Sequence, residues 1–157
     1  MQLSSKYSTN YTIRIMLKNL LSPGTYPTTI HQILLLLRVT SGAFMLTHGA
    51  GKLMKFFADE PLKFADPIGI GVTASLSLAV FSEVFCSVYL ILGLATRFAA
   101  IPVLITMLVA AVIVHANDGF GKQELPLMYC AMYIAIALGG AGKYSLDNWI
   151  YNRIYRA

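Results

Sequence analysis

Arg38, His48, Lys52 and Lys55 stand inside a run, from about Ile33 to Phe57, that is otherwise apolar enough to cross a bilayer. At about 1.5 Å per residue a helix over that run spans the roughly 30 Å of hydrocarbon, which puts Arg38 and His48 within membrane depth. Ionisable groups there are expensive, and they face a bundle interior, a water-filled cavity or one another rather than lipid. A chain built around this segment must therefore supply further helices to pack against it.

The composition agrees. Hydrophobic residues make up 57% of the chain and charged residues only 12%, outside the range of a soluble domain of this length. The formal net charge is +5, and most of the excess falls before Ile33 or after Gly142, where positive groups meet anionic headgroups. The bilayer is thus the expected partner, and nucleic acid is not. Cys86 and Cys130 are too few for a disulfide framework and lack Cys-x-x-Cys spacing.

Read in order, residues 1–29 form a polar N-terminal segment without the continuous apolar core of a secretory signal. Within it Tyr11 to Leu21 reads either as a helix lying on the membrane surface or as disordered chain, ended by Ser22-Pro-Gly-Thr-Tyr-Pro. Four apolar spans follow, at about Ile33–Phe57, Ile68–Leu94, Phe98–Ala116 and Leu125–Gly140. The last is short enough that Lys122 to Glu124 are read as part of the same helix. The expected fold is all-α: a membrane-spanning antiparallel four-helix bundle over residues 30–147, with 148–157 as an aromatic and basic tail.

Four crossings put both ends of the chain on one side. That side carries Lys6, Arg14, Lys18, Arg97, Lys143, Arg153 and Arg156, against Lys63 and Lys122 on the other, with Lys52 and Lys55 near a helix end. The positive-inside rule places both termini in the cytoplasm.

This topology assigns depths. His48 lies 18 residues beyond Ile30 and His115 lies 17 beyond Phe98, so both histidines fall at one level in the outward half. Lys52 follows His48 on the same helix face, and Asp118 and Glu124 on the outer turn are the counter-charges expected for Lys52 and Lys55. Deeper, Arg38 and Glu83 differ in depth by about 5 Å and are expected to pair, either as a register lock or as part of a proton or ligand pathway. Arg97 and Asp147 form a second expected pair at the inner face.

His48, His115 and Glu83 are the candidate catalytic residues. Arg38, Lys52, Arg97, Asp118 and Glu124 are the candidate ligand-binding residues. The reading brings His48, Lys52, Glu83 and His115 onto one outward-opening cavity; its rival ties the same residues up with one another. A metal site is not expected, because two histidines and distant carboxylates lack the spacing of a zinc motif. Cys86 and Cys130 read as small apolar fillers rather than a redox pair. Tyr129 and Tyr133, four apart on one face, either pack or line a flat pocket.

Arg38, the His48-Gly49-x-x-Lys52-Leu53 run, Glu83, the Leu92-Gly93-Leu94-x-Thr96-Arg97 turn, His115 and Gly140-x-Gly142-x-Tyr144-Ser145-Leu146-Asp147 together resemble the DoxX family, over about Ile33 to Asp147. The resemblance implies a multi-pass protein of the bacterial inner membrane. Its DoxD branch implies thiosulfate oxidation coupled to quinone reduction, and other members resemble membrane partners in oxidative-stress assemblies. The cofactor so implied is a quinone, and the implied partner is another protein subunit. Two functions follow as expectations. In one the bundle is the quinone-facing subunit of an oxidoreductase, with His48 or His115 exchanging protons and Lys52 stabilising a reduced oxyanion. In the other it is a non-catalytic anchor or small-solute carrier whose buried charges hold the helices together.

Overall fold

The computed structural model describes residues 15–155, apart from 17 and 60, and among these it is all-helical, with no strand. Residues 15, 16 and 18–21 are helical, as read for the surface segment, while its first part lies outside the described residues. Helix α1, Thr28–Met54, starts behind Pro27 and runs into a tight 3-10 turn, Lys55–Phe57. Helix α2, Val72–Leu92, is one rod interrupted by a wide π-turn at Phe81–Cys86. Helix α3, Thr96–Val114, ends in a second π-turn, Ala110–Val114. Helix α4 spans Phe120–Gly139 and a short α5 spans Leu146–Tyr155.

The boundaries have local causes. Asp66 prepares the start of α2: its carboxylate accepts from the backbone of Ile70 (3.0 Å) and Gly71 (2.8 Å) and from the Ser75 hydroxyl (2.7 Å). An acid at a helix N-terminus meets the exposed N–H groups and the positive end of the helix dipole. Those bonds, Ser75 first, hold the Asp66 carboxyl below its ordinary pKa. At the other end Gly93 takes the left-handed conformation that closes α2, with Leu94 N donating to Tyr89 O at 2.9 Å. Pro102 lies inside α3, which begins at Thr96.

Neighbouring helices run antiparallel. On α1, Gly42 rests against Ile91 and Ser87 of α2, and Gly49 against the backbone of Glu83, so side-chain-free positions set the register. The Ser82 and Thr106 hydroxyls, 2.7 Å apart, join α2 to α3. Arg97 reaches the carbonyls of Ala137 and Leu138 at one end of α4, and Gln123 at its other end reaches the carbonyl of His115. Leu34 against Gly139, and Tyr133 donating to Ser41 O at 3.2 Å, join α4 to α1.

The centre is filled by Met45, Leu90, Ala100, Val103, Tyr133 and Ile136, with Cys86 and Cys130 in the same cluster. Large apolar side chains such as Leu36, Phe44, Ile105, Val112 and Leu138 point outward, as lipid contact requires. Three helices, Thr28–Phe57, Val72–Leu92 and Thr96–Val114, are long and apolar enough among the described residues to cross a membrane. We call the end with residues 140–155 and the start of α1 the terminal end, and the end with residues 58–71 and 115–119 the loop end.

Candidate functional site

At the loop end a cavity of about 540 Å³ lies between α2 and α3, roofed by the loop from Phe64 to Ile68 and reached by Lys52 from α1. That volume falls in the range of roughly 300–1,000 Å³ usual for small-molecule sites. Its walls are mostly apolar, and its polar groups are few: Lys52, Ser75, Ser82, Glu83, Thr106 and His115. Both π-turns contribute to it, one with Phe81, Ser82 and Glu83, the other with Ala110 and Val114. A π-turn widens the helix by one residue and redirects the side chains on it, and such turns recur at functional sites.

Glu83 is fully buried, and its Oε1 is paired with the Lys52 ammonium. Its Oε2 is buried without a hydrogen-bond partner. Lys52 also lies over the Phe64 ring, 5.8 Å from its centre, which ties the roof to the ion pair. Thr106 donates to Pro102 O (2.9 Å), so the Ser82 hydroxyl donates either to Thr106 or to Ala79 O (3.0 Å), and lone pairs remain on the cavity wall. His115 stands at the far edge of the cavity, its Nδ1 2.7 Å from Asp118 Oδ2.

Arg38 belongs elsewhere. It is buried at the terminal end, donating from Nη1 to Leu90 O (3.0 Å) and Ile91 O (3.3 Å) and from Nη2 to Tyr144 O (2.7 Å). The expected Arg38–Glu83 pair is therefore corrected to Lys52–Glu83. The register set by Gly42 and Gly49 puts Arg38 opposite Ile91, eight residues and about 12 Å along α2 from Glu83. The Arg97–Asp147 pair is also corrected. Asp147 accepts from the backbone of Ala95 (2.7 Å) and Thr96 (2.9 Å), capping α3 from α5, and Arg97 is spent on the carbonyls of α4. Asp118 turns to His115 rather than to a lysine, and Lys55 donates to Lys63 O at 3.0 Å.

Of the four residues read as converging, the cavity brings together Lys52, Glu83 and His115. His48 is not among its lining residues; it is exposed on α1, edge-on to Tyr129 of α4 with ring centres 6.1 Å apart. Tyr129 stacks on Tyr133 in the core. Glu124 is exposed near the start of α4, outside the cavity. Sequence reasoning missed the Ser82–Thr106 bridge, the Asp66 clamp and the Phe64 roof. The signal for the clamp was present in Asp66-Pro-Ile-Gly-Ile-Gly, an acid placed before two turn-forming glycines.

These features define an integral membrane helical protein with an apolar-walled cavity that a few polar groups line among the described residues. The DoxX family pattern matches residues 33–116, more than half of the chain, and the chain belongs to the DoxX family. It is similar to two uncharacterized proteins of Haemophilus influenzae. One is 33% identical over 101 residues, covering 60% of this chain and 66% of that relative. The other is 29% identical over 128 residues, covering 74% of this chain and 90% of that relative. No solved structure gives a significant match.

Proposed function

We propose that the protein crosses the bacterial inner membrane four times, with both termini cytoplasmic, and that its loop-end cavity receives the head of a quinone-like ring as the membrane subunit of a quinone-linked oxidoreductase or oxidative-stress assembly. The fourth crossing is α4, whose 20 residues reach about 30 Å. Its antiparallel seating on α3 and α1 and the excess of Lys and Arg at the terminal end support this orientation.

One observation carries the ligand reading. Glu83 Oε2 is an acceptor buried beside an apolar cavity with nothing to accept from. Leaving a buried polar group unpaired is costly, and a ligand hydroxyl would supply the missing donor. Lys52 faces the same space with an ammonium suited to a ring oxygen that gains negative charge. A flat ring bearing one hydroxyl and one carbonyl or oxyanion satisfies both groups while its body meets apolar walls.

Protein purified in mild detergent should carry extractable quinone and should bind a short-chain quinone analogue in a fluorescence titration. Glu83→Gln should weaken binding by roughly 10-fold, the scale of one charge-assisted bond. Unchanged affinity in that variant, in a protein of unchanged stability, would leave the ion pair with a structural role only.

A further inference from the structure

His115 is more constrained than a residue at the end of a helix usually is. Its backbone N–H closes the second π-turn on Ala110 O at 3.0 Å, and its carbonyl accepts from Gln123 Nε2 at 2.9 Å. Its ring is held through Nδ1 by Asp118, 2.7 Å away. A carboxylate only accepts hydrogen bonds, so a neutral imidazole facing it carries its proton on Nδ1 and keeps Nε2 as the basic edge of a ring that lines the cavity. Asp118 itself lies outside the cavity and is half exposed. The other titratable groups lining the cavity are Lys52 from α1 and Glu83 from α2, paired with each other through Glu83 Oε1. Lys122 and Glu124 on α4 are exposed and outside it, and the Asp66 carboxylate in the roof is filled by Ile70, Gly71 and Ser75.

We propose that Asp118 is a positioning residue that fixes the tautomer of His115, making Nε2 the cavity's proton acceptor at the loop end. This rests on the ligand reading above for the identity of the proton donor. A hydroquinone hydroxyl in the cavity donates its hydrogen bond to Nε2. As the phenolate forms at that oxygen, the proton passes to Nε2, leaving an imidazolium held by the Asp118 carboxylate, while the ring's other oxygen faces Lys52 and Glu83. No electron moves in this step. The proton then leaves to water at the loop end, because His115 and Asp118 are both partly exposed there. Proton exchange by the cavity is therefore sided, and it uses His115 rather than His48.

The chain contains three histidines, which makes the test direct. The full-length protein in lipid nanodiscs, labelled with 15N-histidine, is examined by NMR at a pH where the rings are neutral. His31 Nδ1 accepts from Lys143 N at 3.1 Å, so His31 should report the Nε2–H tautomer and serve as internal reference. His115, assigned by its loss in His115→Gln, should report Nδ1–H. Asp118→Ala should shift it toward Nε2–H, and Asp118→Asn, which keeps an accepting oxygen, should restore it.

In parallel, duroquinone and anaerobically reduced duroquinol are titrated. Asp118→Ala should weaken duroquinol by about 10-fold, the scale on which orienting partners of an imidazole act, and leave duroquinone unchanged. An Nε2–H tautomer in the wild type, no tautomer change in Asp118→Ala, or equal loss of both probes would overturn the assignment. If the wild type binds neither probe while the tautomer follows Asp118, the quinone reading falls and the positioning role of Asp118 is upheld.

Discussion

The two ends of the molecule bury the same kinds of groups and treat them differently. At the terminal end Arg38 and Asp147 are each about 1% exposed, and both are spent on backbone. Arg38 feeds three carbonyls from two nitrogens, with only Nε left over, and Asp147 takes two N–H groups. On the loop-end cavity Glu83, midway along α2, is just as buried but has one partner, a partly buried lysine that lines the same cavity. Charges that tie backbone ends together have no room for a ligand. A charge left half satisfied beside empty space does.

The largest effect should come from breaking the saturated end. Asp147→Ala strips the cap from α3 and leaves the N–H groups of Ala95 and Thr96 without acceptors. A loss of about 3–5 kcal/mol in unfolding from mixed micelles is expected, the scale of two buried donors left without acceptors. Ala95 would also lose what holds its left-handed backbone. Gly93→Ala should act in the same direction, because a Cβ there overlaps the Arg38 guanidinium at a positive φ. Cavity ligand affinity in whatever folded protein remains should be unaffected. A ligand defect without a stability defect would erase the distinction between the ends.

Next comes the ion pair at the loop end. Lys52→Met leaves Glu83 buried with no partner and should cost about 3 kcal/mol, while Lys52→Met with Glu83→Leu should recover most of it. Both variants should fail to bind the quinone analogue. If the double variant is as unstable as the single one, the loop end is a structural lock like the terminal end, and the contrast collapses.

The sequence made three helices of bilayer length legible, because apolar runs of that length need no tertiary information. It did not yield the partners. Arg38 and Glu83 come out 5 Å apart only if helix ends are taken as depth marks. The true register is set by which glycines touch which backbone, Gly42 at Ser87 and Gly49 at Glu83, and by a π-turn that shifts every side chain after it. His48 and His115, expected at one level, share neither a level nor a face: His48 meets Tyr129 of α4, whereas the His115 carbonyl meets Gln123, six residues or about 9 Å nearer the loop end. Nor could the sequence show that the inner-face acid would cap a helix end instead of pairing with Arg97, since a capping site exists only once α3 and α5 meet.

The smallest effect concerns the roof, and it refines the loop end rather than breaking it. Asp66 is exposed outside the spans, and its carboxyl is depressed first by the Ser75 hydroxyl and then by the Gly71 backbone. A depressed folded-state pKa means that the carboxylate contributes to holding the roof at any pH above its unfolded value near 4, and that the contribution is lost as pH falls through the lower folded value. The wild-type loop should therefore stay closed to protease at neutral pH and open progressively below about pH 4. Asp66→Asn should be somewhat more open at neutral pH and should show no further acid opening, because nothing at that position is left to titrate. Ser75→Ala, which removes the largest stabilising bond, should move the opening to higher pH while keeping it pH-dependent. Cleavage between Phe64 and Ile68 in nanodisc samples reads all three; an acid profile indifferent to Ser75 would mean that the roof is held by Phe64 against Lys52 and Lys55 instead.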